Sequence, residues 1–445
     1  MRSFLPADPD GKISRASYVV EAALEYFVTL ILSDLFLSAL MTEVGMSTAL
    51  QGTVTAIGQT AAMLQLLGVL LIRRRVGVKR FVTLTCLFSQ LSLALVYFTP
   101  MFSGLSANGR SILLALFLLL GYGSVSLISP FRAAWMMSNV PDHKRGRFTA
   151  IKEIVSLYSG FAFSFLMGRV LDAYRAAGNM RGFFLFAGFS ILIISIPHTL
   201  SLILVREPAQ EQALPEEKPV GFFENLARSF RVTLGSRNFR LVIPIFVLYY
   251  FSVAAANFYG VYKLNVLLFT ATYSAILMLI QSVVRSVVSI PFGRIADKTS
   301  WATLLTIVVP IAALGYLFAA SSVPENGRWC FAIYMVLNGM AMGGLNSAMF
   351  NIAFDYVPHE DRTDALAWLY AIGGISTLLG TLGESALASY IEKNGNRFLG
   401  LSVYPQQVFS VMSAICLLLL VAYVRFFLLR KKGKGKEIPK GENPG

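Results

Sequence analysis

The chain has 445 residues, of which 56% are hydrophobic and 14% are Asp, Glu, Lys or Arg, whereas a soluble domain carries roughly 25% charged residues. This composition excludes an ordinary soluble enzyme and indicates a protein embedded in a membrane. The formal net charge of +14 lies largely in the connections and in the C-terminal RKKGKGKEIPKGENPG. Basic residues there suit anionic lipid headgroups, so membrane lipid is the expected partner and no nucleic-acid partner is expected.

Apolar stretches of about 20 residues, the length that crosses ~30 Å of hydrocarbon, recur along nearly the whole chain. We predict twelve and number them spans 1 to 12. They cover approximately residues 18 to 41, 48 to 72, 81 to 101, 111 to 139, 148 to 173, 183 to 205, 240 to 266, 271 to 293, 301 to 321, 329 to 356, 361 to 391 and 404 to 429. This pattern predicts an all-α, multi-pass integral membrane protein, which we expect to be a monomer in the plasma (inner) membrane.

The connections between spans alternate between rich and poor in Lys and Arg. RRRVGVKR before span 3 holds five and PDHKRGRFTAIK after span 4 holds four, while TPMFSGLSANGRS and DAYRAAGNMRG hold one and two. Because basic connections stay on the cytoplasmic side, both termini are expected in the cytoplasm. The N-terminal segment has no apolar core of a cleavable signal peptide, so the spans themselves are expected to direct insertion.

The two halves of the chain repeat each other. NVPDHKRGRFTAI after span 4 and YVPHEDRTDALAW after span 10 align at an offset of 217, and PFGRIADKTSW after span 8 matches the connection after span 2 at an offset near 223. Such parallel repeats predict two six-helix bundles, as in secondary transporters. We expect a cytoplasmic segment at 1–17, bundles at 18–205 and 240–429, a cytoplasmic linker at 206–239 whose FFENLARSFRVTL suits an amphipathic helix, and a basic cytoplasmic tail at 430–445.

The loop GRIADKTSW resembles the motif that transporters of the major facilitator superfamily carry after their second span and repeat after their eighth. The VP...R pattern after spans 4 and 10 is also similar to that superfamily. The resemblance implies two pseudo-symmetric six-helix bundles, with spans 1, 4, 7 and 10 lining a central cavity and spans 2, 5, 8 and 11 forming its sides. It further implies a cytoplasmic gate that contains Gly293, Asp297, Lys298, Arg145 and Arg362.

Within that gate, the resemblance gives Asp297 the role of capping or pairing with a neighbouring helix N-terminus, where a carboxylate is favoured by typically ~0.3–1 kcal/mol. The first half departs from the pattern, because Arg74 stands where the acid belongs. A carboxylate latch is therefore expected only in the second half.

Few charged or strongly polar side chains occur within the spans. A charge at mid-bilayer costs roughly 2.5–3.5 kcal/mol, so it normally faces a partner or a water-filled cavity. The candidates for substrate binding or ion coupling are Asp34, Arg132, Asn257, Tyr259, Gln281, Arg285, Asn338, Asn346 and Glu384.

Arg285 is the central candidate, since Gln281 lies one helical turn before it on the same face of span 8. We expect Arg285 to project into a hydrated cleft between the halves, where it holds an anionic or polar solute or pairs with a carboxylate such as Asp34 or Glu384. The alternative is a fixed ion pair that joins two helices. Asp34 and Glu384 are each either a carboxylate that couples transport to protons or sodium, or a structural acid.

These features favour a secondary active transporter that moves a small polar or anionic organic solute by alternating access, coupled to protons or sodium. Arg132, Arg285 and Lys263 favour the anion; the alternatives are an exporter of amphipathic cations or drugs, and a non-transporting receptor or lipid-handling protein of the same fold. An enzyme is not expected, because no His, Asp and Glu cluster at a membrane face. No cofactor or metal is expected either, since the cysteines lie scattered in apolar spans.

Overall fold

Long helices that run back and forth make up almost all of the described chain. The computed structural model describes residues 11–65, 67–68, 78–141, 145–206, 230–231, 235–356 and 362–429. Most of the predicted amphipathic stretch of the linker, most of the basic connection after span 2 and the C-terminal tail lie outside these residues. Within them, the strands Arg397–Phe398 and Leu401–Ser402 form a small antiparallel hairpin between spans 11 and 12.

The helices follow the predicted spans, and we keep the span numbers. In the first half they are Lys12–Ile31 and Asp34–Val44 (span 1), Thr48–Thr55 and Ile57–Thr60 (the start of span 2), Val78–Phe98 (span 3), Ala107–Ser138 (span 4), Arg145–Ala176 (span 5) and Met180–Leu204 (span 6). In the second half they are Arg237–Ser252 and Tyr259–Asn265 (span 7), Ala271–Lys298 (span 8), Trp301–Ala320 (span 9), Gly327–Tyr356 (span 10), Arg362–Lys393 (span 11) and Pro405–Tyr423 (span 12).

The prediction of an all-α membrane protein is confirmed. Among the described residues, nine helices are long and apolar enough to cross a membrane, and the two helices of span 1, bent by 42°, make a tenth. Span 10, a helix of 30 residues, is not among these helices, and span 2 is described only in part. For these two spans, membrane crossing stays a prediction.

Side-chain caps fix where many of the spans begin. A side-chain oxygen accepts a backbone N–H of the first turn at Ser47, Ser106, Asn179, Ser236, Thr270 and Ser300. Such caps satisfy N–H groups that have no partner inside the helix. The starts of spans 2 and 8, at residues 48 and 271, lie 223 residues apart, which matches the offset of the repeated loop motifs.

The first span of each half is interrupted. Span 1 breaks at Leu32 and Ser33, and Asp34 then adopts a φ of 50°, a left-handed conformation that Asp tolerates better than most residues. The Ser33 hydroxyl donates to the Leu30 carbonyl at 2.9 Å, so part of the freed backbone is satisfied at the break. Span 7 changes to a 3-10 helix over Val253–Phe258 before it continues.

Each half has its own apolar core. One large core comes from residues 239 to 428 and includes Ala49 as its single residue from the first half. The first half packs around two cores of its own, to which the second half contributes Ala271. Outward faces carry exposed apolar side chains such as Ile193 and Ile196 of span 6, which are 66% and 69% exposed. These faces suit contact with lipid.

The halves meet most closely on one side of the molecule, the side of the connections that follow odd-numbered spans. We call it the closed side. A Cβ built on Gly260 of span 7 would lie 2.3 Å from Ser38 Oγ and 2.7 Å from the Asp34 carbonyl oxygen of span 1, and one on Gly52 would lie 2.0 Å from the Phe258 ring. Glycine is therefore required for spans 1 and 2 to approach span 7 this closely.

Candidate functional site

A cluster of ionisable side chains lies inside the first half, and we call it the N-half charge cluster: Glu21, Glu25, Arg132 and His198. Arg132 Nη1 of span 4 lies 2.7 Å from Glu25 Oε1 and 3.4 Å from Glu21 Oε1, both of span 1. His198 Nε2 of span 6 lies 3.5 Å from Glu21 Oε1. Glu21 and Glu25 can share one arginine because residues four apart lie on the same helix face.

The cluster is buried at one end and open at the other. Glu21 and His198 are each 1% exposed, while Arg132 is 17% and Glu25 27% exposed. Two carboxylates face one arginine, and Lys152 of span 5 lies within electrostatic range of Glu21. Carboxylates and cations compensate one another here, which matters because an uncompensated charge within a membrane protein is costly.

A second ion pair joins the two halves on the closed side. Lys263 Nζ of span 7 contacts Asp34 Oδ1 of span 1, at the point where span 1 breaks. Lys263 is 2% exposed and Asp34 20%, and the ammonium also lies 5.6 Å from the centre of the Phe331 ring. The pair depends on the close approach at Gly260, so the halves must stay together for it to exist.

Two further contacts hold the closed side together. The Asp172 carboxylate near the end of span 5 accepts the N–H groups of Ala271 and Thr272 at 2.9 and 3.0 Å, and the Thr272 hydroxyl at 2.6 Å. Span 5 thus caps span 8 across the boundary between halves. The Ser385 hydroxyl of span 11 lies 2.7 Å from the Thr53 hydroxyl of span 2.

Arg285 lies at the boundary between the halves and binds a different carboxylate from those predicted. Its Nη2 donates to Glu153 Oε1 of span 5 at 2.6 Å, so Asp34 and Glu384 are wrong as its partners. Asp34 is instead held by Lys263. Arg285 is 32% exposed and Glu153 47%, and the phenols of Tyr26 and Tyr249 lie within electrostatic range of the guanidinium.

The predicted amides lie in two places. Gln281 Nε2 donates to Asn338 Oδ1 at 2.7 Å, which links spans 8 and 10 one turn from Arg285. Asn257 and Tyr259 lie inside the second half, where Asn257 donates to the Thr381 hydroxyl at 3.1 Å and the Tyr259 hydroxyl lies 2.7 Å from that of Ser410.

The remaining two candidates for binding or coupling stand apart from these networks. Asn346 is exposed on span 10. Glu384 is 1% exposed, and its Oε2 has no hydrogen-bond partner among the described residues. Glu384 lies within electrostatic range of Tyr259, Tyr316 and Cys416, inside the second half and away from Arg285.

The predicted gate residues lie on the side opposite the closed side. Gly293, Asp297 and Lys298 form the last turns of span 8, where the Asp297 and Lys298 side chains are exposed. The following helix is capped by Ser300, which accepts the Thr303 N–H at 3.1 Å. Arg145 and Arg362 are the first residues of spans 5 and 11, and their side chains lie outside the described part. The role of this gate stays a prediction.

Five functional candidates escaped the sequence analysis: Glu21, Glu25, Glu153, Asp172 and His198. Each stands near a predicted span end, where charges are ordinary, and so none was weighed as an intramembrane group. The signal that was available is the i, i+4 spacing of Glu21 and Glu25 in EAALE. The described residues contain no group of three or more His, Cys, Asp and Glu able to hold a metal ion.

Two helix bundles, each with its own core, that meet around intramembrane ion pairs define the fold of a membrane transporter. The family model of the Major Facilitator Superfamily matches residues 22–330 and 311–444, so the chain belongs to that superfamily. The fold class and the resemblance seen in the loop motifs are thereby confirmed.

Solved structures of the same fold span almost the whole chain. A point mutant of the nucleoside transporter NupG is 12% identical with a TM-score of 0.71 and covers 93% of this chain and 100% of its own. The D-xylose-proton symporter is 15% identical with a TM-score of 0.67 and covers 92% and 98%. The bacterial homolog of the human lysosomal transporter Spinster, in an inward-facing and unoccupied conformation, is 14% identical with a TM-score of 0.64 and covers 94% and 97%. No curated protein sequence matches the chain.

Proposed function

We propose that the protein is a secondary active transporter that moves a small polar or anionic organic solute by alternating access. The observation that carries the proposal is the Arg285–Glu153 pair, which joins spans 8 and 5 across the boundary between the halves and remains part-exposed. A permanent cation within a membrane span normally faces a partner or a water-filled cavity, so we infer that Arg285 faces a solute pathway. The nucleoside and xylose transporters that share the fold handle small polar solutes, which agrees with this class.

Arg285 would bind the solute by exchanging its partner. A guanidinium presents a planar set of N–H donors that fits a carboxylate or phosphate, so an anionic group of the solute can replace Glu153. Gln281 and Asn338, one turn away, supply amide groups for the neutral part of the solute. Glu153 restores the charge balance when the site is empty, since it returns to Arg285.

The direction of the opening follows from the closed side. Asp34 with Lys263 and Asp172 with span 8 hold that side shut. If the basic connections are cytoplasmic, the closed side faces outward. The opposite side, which would open to expose Arg285, then faces the cytoplasm. The proposed state is therefore inward-facing, and transport requires both contacts to break while the opposite side closes.

We propose the proton as coupling ion and the N-half charge cluster as its site. A proton on Glu25 would release Arg132 from its 2.7 Å contact and leave it paired with Glu21 alone, at 3.4 Å. Because Arg132 joins span 4 to span 1, the loss of one of the two contacts loosens these helices relative to each other. This assignment replaces Asp34, which is held by Lys263, as the coupling carboxylate.

Uptake into proteoliposomes tests the substrate site. Purified protein is reconstituted and given labelled nucleosides, pentoses and organic acids in turn. Arg285→Gln is expected to lower uptake of the transported solute by about tenfold or more, because a hydrogen bond to a charged group contributes ~1.5–3 kcal/mol. Arg328→Gln, which removes an exposed arginine at the start of span 10 and outside the gate motif, is the control. Equal uptake by both variants would remove Arg285 from the pathway.

The coupling ion is tested in the same vesicles with imposed gradients. A proton gradient is expected to drive accumulation, and Glu25→Gln is expected to permit downhill movement while abolishing accumulation. A sodium gradient without a proton gradient serves as the second arm. Accumulation driven by sodium alone, or equal rates at every pH with the proton gradient collapsed, would contradict proton coupling.

Export of an amphipathic cation is the second candidate, and one observation favours it. Glu153 is more exposed than Arg285, 47% against 32%, so its carboxylate is the more accessible charge of the pair. Binding of an anion would require the Arg285 guanidinium, whereas export of a cation would require the Glu153 carboxylate. Loss of cation efflux in Glu153→Gln, with efflux intact in Arg285→Gln, would favour the exporter.

A further inference from the structure

A cavity of about 160 Å³ opens on the closed side, away from Arg285 and from the N-half charge cluster. The second half supplies the end of span 7, the end of span 11 and the start of span 12, and the first half supplies Thr48 at the start of span 2. A water molecule needs roughly 10–15 Å³ of such space, so the cavity has room for roughly ten waters or a ligand of similar size.

The chemistry of the lining favours a cation. Glu392 is the one charged residue among those that line the cavity, and it brings a carboxylate. Asn265, Asn396 and Gln406 add amide groups, and Tyr404 adds an aromatic ring. A carboxylate and the face of a tyrosine both attract an ammonium group, while amide oxygens accept its N–H or adjacent hydroxyl hydrogens.

One lining residue also has an unused acceptor. Gln406 is 3% exposed, and its Oε1 has no hydrogen-bond partner among the described residues. That oxygen is closed off from water in this state, so it can accept from a ligand only after the amide turns toward the cavity. The cavity itself combines space, one negative charge and several amide groups at the same place.

We propose that this cavity binds a small organic cation that carries an ammonium group. Binding there also acts on the transport cycle. Thr48 belongs to one half and the other lining residues to the second, so the cavity keeps its shape only while the closed side is shut. A ligand that prefers one of two states shifts the protein toward that state. The cation therefore inhibits transport without occupying the Arg285 site.

Choline is the probe for the binding experiment, which uses the full-length protein in detergent and needs no transport. Saturable binding in the millimolar range is expected by titration calorimetry or equilibrium dialysis. Glu392→Gln is expected to weaken it about fivefold, equivalent to ~1 kcal/mol at ~1.4 kcal/mol per factor of ten. Glu325→Gln, an exposed carboxylate on the same side but outside the cavity, is the control and should bind choline normally.

Two comparisons complete the test. Acetate should not bind, and Gln406→Leu should weaken choline binding while the protein keeps its thermal stability. The proposal fails if choline shows no saturable binding, if acetate binds as well as choline, or if Glu392→Gln binds as tightly as the parent protein. Since binding is measured without a gradient or a transported solute, these outcomes are separate from those that decide the transport function.

Discussion

Removing the carboxylate of Asp172 is expected to open the closed side of the molecule. Asp172 accepts three hydrogen bonds from the first turn of span 8, at 2.6 to 3.0 Å. A hydrogen bond to a charged group contributes ~1.5–3 kcal/mol. We assign this amount to the three hydrogen bonds together, because the contributions of neighbouring bonds do not add and water can replace some of these bonds. Asp172→Ala should therefore raise the population with the closed side open by about 10- to 100-fold.

Cysteine labelling measures that population. Ala275 on span 8 is 2% exposed and lines the narrow gap between spans 1, 5 and 8, so a cysteine there reacts with a thiol reagent only when spans 5 and 8 separate. Ala275→Cys is made in a background where the native Cys86, Cys330 and Cys416 are serine. An impermeant maleimide added from the closed side should label it about 10- to 100-fold faster when Asp172→Ala is present, in line with the shift in population.

The control and the refuting outcome are defined by the same assay. Glu325→Ala removes an exposed carboxylate on that side that takes no part in the contact between halves, and it should leave the labelling rate unchanged. If Asp172→Ala also leaves the rate unchanged in protein of normal thermal stability, the cap does not hold the closed side and the reasoning is wrong.

Two other changes probe the crossing of spans 1 and 7. Lys263→Met should lower the free energy of unfolding, measured by thermal unfolding, by up to about 3 kcal/mol. This is the low end of the range for breaking a buried ion pair, because Asp34 is 20% exposed. Adding Asp34→Asn should recover part of the lost stability. Gly260→Val should abolish uptake in correctly inserted protein, since its Cβ would lie 2.3 Å from Ser38 Oγ. Gly383→Ala, whose Cβ meets nothing within 4 Å, is the control, and equal uptake by the two glycine variants would contradict a close crossing.

The fold could be predicted because its signals are local. Apolar length, alternating basic connections and the loop motifs each depend on residues close in sequence, and the starts of spans 2 and 8 lie 223 residues apart. The interruptions in spans 1 and 7 were missed, because neither contains a proline or glycine at the break itself. Both depend on packing across the halves.

The sequence identified several charged residues of the candidate site but not the partners with which they form ion pairs. Asp34, Arg132 and Arg285 stand out because each is isolated in apolar sequence, and the structure places each in an ion pair. Their partners could not be chosen from sequence, since helix rotation and the relative position of the bundles decide which carboxylate reaches Arg285. Glu153 meets it across the boundary between spans 5 and 8, which no spacing along the chain reveals.

The interruption of span 1 separates two carboxylates of the same span that pair with different halves of the protein. Glu25 lies before Leu32 and Ser33, bound to its own half, whereas Asp34 lies directly after them and is bound to the other half. Any tilt of one piece of this helix against the other changes the distance between these carboxylates and their cationic neighbours. In the proposed transport cycle, these two residues of backbone would act as a joint between the piece of span 1 that carries Glu25 and the piece that carries Asp34.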